Sequence, residues 1–97
     1  MWFEIVYGVE GVCKTFDRIL CDNLDEACSQ ARSLAHEDYH NIAGRLEGYP
    51  TFTQFCKDET ADDVVDMYDN NQTEYKQLQK RFTKFIDSKI IAQAYYA

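Results

Sequence analysis

Positions 36 to 40 read "HEDYH", the one stretch of this chain in which residue types and spacing together suit covalent chemistry. On a helix, residues four apart share a face, so His36 and His40 can present two imidazoles to one metal ion. Glu37, beside the first imidazole, then stands where a carboxylate activates metal-bound water.

Over these five residues the chain resembles the His-Glu-x-x-His helix of the zincin peptidases, and the resemblance implies zinc-dependent hydrolysis by His36, Glu37 and His40. The residues around the motif weigh against it. Asp38 and Tyr39 fill the intervening pair, which zincins usually keep uncharged. The extended motif needs a third histidine, but the chain has only 2 and Leu46 stands at that position. Glu59 or Glu74 would have to replace it, and neither lies in a recognisable helix signature. Arg32, one turn from His36, places a cation beside the site. The expectation is therefore two partly solvated surface histidines, no catalytic residue, no metal and no cofactor. A zinc hydrolase is the weakest of the functional readings.

Other constellations are missing from the sequence. There is no Gly-rich phosphate loop and no G-x-S-x-G elbow. Cys28 and His36 would be about 12 Å apart along a helix axis, too far for a nucleophile pair. Cys13, Cys21, Cys28 and Cys56 form no C-x-x-C pair, and with no export signal they read as reduced thiols, mostly buried.

The elements that would carry these residues follow from pattern. Residues 2–9 and 12–20 are rich in β-branched and aromatic residues and meet at Glu10-Gly11, which predicts an antiparallel hairpin over 2–20. Phe3, Ile5, Tyr7 and Val9 share one face. Trp2, Glu4 and Val6 share the other, which is only partly polar. Asn23 is an N-cap, with Glu26 placed to bond back to the cap's amide, so a helix is predicted from Leu24 to about 43, ending at Gly44. Its apolar stripe reads Leu24, Cys28, Ala31, Ala35 and Ile42, with Ala27 and Leu34 beside it. Residues 50–69 read as helical or mixed, with Phe52, Phe55 and Cys56 fitting a turn that begins at Pro50. Thr60 with Asp63, and Asn71 with Glu74, resemble capping boxes. A long amphipathic helix is then expected over about 72–95, its seam running through Tyr75, Leu78, Phe82 and Phe85. The fold class is α+β, a hairpin packed on three to four helices in one domain, 1–97.

Composition bounds the function. With 45% hydrophobic and 14% aromatic residues the chain is neither disordered nor of low complexity. No apolar run approaches a membrane span, and a cytoplasmic protein is expected. The net charge is −7, split between residues 1–75 at −11 and residues 76–97 at +4. Such an acid excess repels nucleic acid and favours a basic partner.

Asp58, Asp62, Asp66 and Asp69, with Asp63 adjacent and Tyr68 among them, would line one edge of a helix. This row is the predicted partner-binding surface, which imitates a phosphate backbone or docks onto a basic groove; the alternative is a solvated face whose first-turn acids favour the helix dipole. The basic strip Lys76, Lys80 and Lys84 pairs with acids or is solvated. In composition, though not in family, the chain resembles the small acidic inhibitors that phages and mobile elements encode against nucleic-acid-handling machinery, including anti-CRISPR proteins. The alternative is a self-associating structural or regulatory module, a homodimer through Tyr75, Leu78, Phe82 and Phe85.

Overall fold

In the computed structural model, which describes residues 1–60 and 72–97, strands β1 (Trp2–Val9) and β2 (Cys13–Leu20) form the expected antiparallel hairpin. Val12 N–H donates to the Val9 carbonyl at 2.9 Å to close the turn. Gly11 takes the positive φ, +79°, that such a turn needs. Gly8 is required for a different reason. Its φ is +155°, and a Cβ there would overlap the carbonyl oxygen of Cys13 on the neighbouring strand.

Helix α1 (Leu24–Ile42) starts where the cap predicts. Glu26 N–H donates to Asn23 Oδ1 at 2.8 Å, while the Glu26 carboxylate accepts from the amide of Asp22 at 3.2 Å, one residue before the amide expected. The buried stripe is Ala27, Ala31, Ala35 and Tyr39, all at 0% exposure. Cys28, placed on that stripe by pattern, is exposed instead. A strict four-residue repeat of alanines lets the helix axis come close to the sheet. Phe3, Ile5, Cys21, Ala27 and Ala31 form the core there, with Tyr7, Ile19, Leu24, Leu34, Ala92 and Ala94 packed around them.

Helix α2 (Phe52–Thr60) settles the uncertain middle segment as helix over its described part. Its start is a capping box. Gln54 N–H donates to Thr51 Oγ1 at 3.3 Å and Thr51 N–H donates to Gln54 Oε1 at 3.0 Å. Helix α3 (Gln72–Lys89) is shorter than expected. The predicted helix over about 72–95 stops at Lys89, and Ile90–Tyr96 forms a third strand, β3, antiparallel to β1. Two physical facts favour the strand. Ile90, Ile91, Tyr95 and Tyr96 are β-branched or aromatic, and pairing satisfies the backbone groups on the second edge of β1.

The class is α+β, as expected: a three-stranded antiparallel sheet in the order β2-β1-β3 in place of the hairpin alone, with three helices among the described residues, where three to four were expected. Contacts divide the chain into two compact units, residues 1–41 with 89–97, and residues 42–88. In the second unit Phe52, Phe55, Tyr75, Phe82 and Phe85 form a ring cluster with neighbouring centroids 5.2 to 6.4 Å apart. Leu78, Phe82 and Ile86 supply the buried stripe of α3, at 1, 5 and 2% exposure. Among the described residues no helix is long and apolar enough to cross a membrane.

Candidate docking surface

Strand alternation sends Phe3, Ile5 and Tyr7 toward α1 and leaves Trp2, Glu4 and Val6 on the opposite face. The register carries that second set across the sheet. Trp2 lies opposite Leu20, Glu4 opposite Arg18 and Tyr95, and Val6 opposite Phe16 and Gln93. Four large apolar side chains on this face are open to solvent: Trp2 at 55%, Phe16 at 70%, Leu20 at 63% and Tyr95 at 52%. Single exposed apolar residues are ordinary, but four on one face of a three-stranded sheet are a patch.

Polar groups hold the patch in order. Arg18 Nη2 donates to Glu4 Oε1 at 3.1 Å across the β1–β2 pair. Lys14 Nζ stands 5.4 Å from the centre of the Phe16 ring. Tyr95 Oη donates to Gln93 Oε1 at 2.6 Å. Phe16, Arg18 and Tyr95, with Glu4, Ile5, Val6 and Asp17, line an open groove of about 560 Å³. Both members of the ion pair are more than half exposed, so its stabilising effect is small and its main consequence is orientation.

Aromatic rings on a sheet suit two kinds of partner, stacked bases or an apolar spot on a protein. Stacking proteins surround their rings with positive charge. Residues 1–41 and 89–97 carry instead eight Asp/Glu against four Lys/Arg.

The residues singled out by sequence fall elsewhere. Asp58 is exposed on α2 and lines a groove of about 510 Å³ with the 44–50 loop and Gln54. Asp62, Asp63, Asp66, Asp69 and Tyr68 lie outside the described residues, as do the Thr60–Asp63 and Asn71–Glu74 caps. Leu78 and Phe82 are buried, and Tyr75 and Phe85 are half-buried against the ring cluster. In the pentapeptide the fully buried residue is Tyr39, while His36 is half-buried and His40 exposed. Among the described residues no three His, Cys, Asp or Glu side chains gather as a metal-binding group.

The four thiols are free, with Cys21 and Cys56 buried, Cys13 half-buried and Cys28 exposed, so only two match the buried expectation. Burial raises the Cys21 thiol above its ordinary value, helped by the charges of Glu26 and Asp22. Burial alone raises Cys56.

Sequence reasoning missed the patch. The sequence carries part of the signal, since the second face of the first strand is only partly polar, but its pattern places Tyr95 on a helix. No protein-family model, no curated protein and no solved structure matches this chain.

Proposed function

We propose that this chain is a small binding protein, without chemistry of its own, that occupies a basic surface of another protein. The open face of the sheet is the contact, and the surplus of carboxylates steers the approach. The observation that carries this reading is the clustering of Trp2, Phe16, Leu20 and Tyr95 on one exposed face around the Arg18–Glu4 pair. Buried aromatics supply most of the energy in such contacts, and complementary charge supplies rate and selectivity.

The net charge of −7 selects a basic counterpart. Proteins that handle nucleic acid present such surfaces, and an acidic ligand can compete there with the nucleic acid itself. An inhibitor in the style of those encoded by phages and mobile elements is the form of this activity that the composition supports. The working compartment is the cytoplasm.

The test is capture from the native host, identification of the bound protein, and titration of the purified pair. Phe16→Asp with Tyr95→Asp should weaken binding by about a hundredfold, the loss of two aromatic anchors. Reversal of Asp62, Asp66 and Asp69 to Lys measures the share of the acidic segment. Affinity unchanged in both variants would overturn the proposal.

A further inference from the structure

The two outer edges of the sheet are built differently. In an antiparallel ladder alternate residues turn their N–H and C=O groups to one neighbour. Cys21 N–H donates to the Met1 carbonyl at 3.0 Å, Ala97 N–H to that of Trp2 at 3.3 Å, and Glu10 N–H to that of Lys89 at 2.8 Å. These bonds fix the phase of both ladders. Odd residues of β1 bond to β2 and even ones to β3. The free edge of β2 therefore shows the backbone of Lys14, Phe16, Arg18 and Leu20, and that of β3 shows Ile90, Ala92, Ala94 and Tyr96.

The β2 edge is guarded. The Arg18 N–H it would offer donates instead to the carboxylate of Asp17 at 2.8 Å. Lys14, Asp17 and Arg18 add charge along it. Among the described residues the β3 edge has no such protection. "IIAQAYY" contains no charge, no Pro and no Gly, and none of its seven residues is buried. Among the described residues no side chain caps its outward backbone groups.

We propose that β3 is a self-association edge, on which a second copy of this chain pairs antiparallel about a two-fold axis at Gln93. The phase derived above allows this register without adjustment. Ile90 would pair with Tyr96 of the copy and Ala92 with Ala94, each pair exchanging two backbone bonds, about eight in all. On the open face Ile91 would meet Tyr95 and Gln93 would meet Gln93, where two amides can bond to each other.

Charge opposes a copy least at this edge. Two chains of −7 each repel over most of their surface, and this uncharged strand is where close approach costs least. Pairing would join two three-stranded sheets into one of six.

Sedimentation of the wild type over about a hundredfold range of concentration should show a monomer–dimer equilibrium. Gln93→Lys sets like charges face to face on the axis, on an exposed side chain, and should weaken the dimer about tenfold or more. Ala94→Pro removes one outward N–H without touching the bonds to β1 and should act in the same direction. Circular dichroism checks that both variants fold. Gln93→Cys should cross-link on oxidation to give a 93–93 disulfide peptide, with the wild type as control for the native thiols. Phe16→Asp, on the docking face, should leave the dimer intact. A wild type that stays monomeric overturns the proposal. So does a dimer indifferent to Gln93→Lys and Ala94→Pro, or one that Phe16→Asp dissolves.

Discussion

Gly8 sits where only a residue without a side chain can sit, pressed against the Cys13 carbonyl at positive φ. Gly8→Ala should cost about 2 to 3 kcal/mol in urea unfolding, through strain and displacement of the paired strand. Tyr39 makes the opposite case, a large side chain at 0% exposure, so Tyr39→Ala should cost about 3 to 5 kcal/mol. The motif "HEDYH" thus contains an anchor, and that anchor is its tyrosine. The raised thiols of Cys21 and Cys56 have a pH consequence. A folded state that holds a thiol proton more tightly than the unfolded chain keeps that contribution below the ordinary thiol value, and loses it as pH rises through the raised one. Stability should therefore fall at alkaline pH, and Cys56→Ala should make the fall shallower. Alkylation of the native protein should mark Cys28 first and Cys21 and Cys56 last.

Local signals made the hairpin and α1 legible: an alternating run joined at Glu10-Gly11, and Asn23 followed by Glu26. The start of α2 was within reach too, since Thr51 and Gln54 have capping-box spacing, though the turn was placed at Pro50. Thr51→Ala should cost about 0.5 to 2 kcal/mol, readable as a lower thermal midpoint. What sequence could not separate was α3 from β3. Tyr75, Leu78, Phe82 and Phe85 repeat at helical spacing, and the apolar residues after Lys89 continue the pattern closely enough to pass for one more turn and a half. Their strand conformation depends on β1, a partner far away in sequence, and short apolar runs carry no period that reveals it. The docking face was hidden for the same reason, because Tyr95 joins Phe16 only after that pairing exists.

At the scale of the molecule, surplus negative charge opposes any meeting of two copies and assists any meeting with a basic partner. Added salt should separate the two proposed associations. The β3 dimer should tighten as screening removes repulsion, whereas the hetero-complex should weaken as screening removes attraction, both followed by sedimentation. The ladder between Val6 and Gln93 closes a loop of about 87 residues. A ribosome making this chain has therefore released the hairpin and α1 well before it supplies the strand that completes the sheet. Until then the inner strand is itself an open border, so the nascent protein spends most of its synthesis exposing the hydrogen-bonding groups that the finished sheet conceals, and a holdase that shields bare strands would raise its yield.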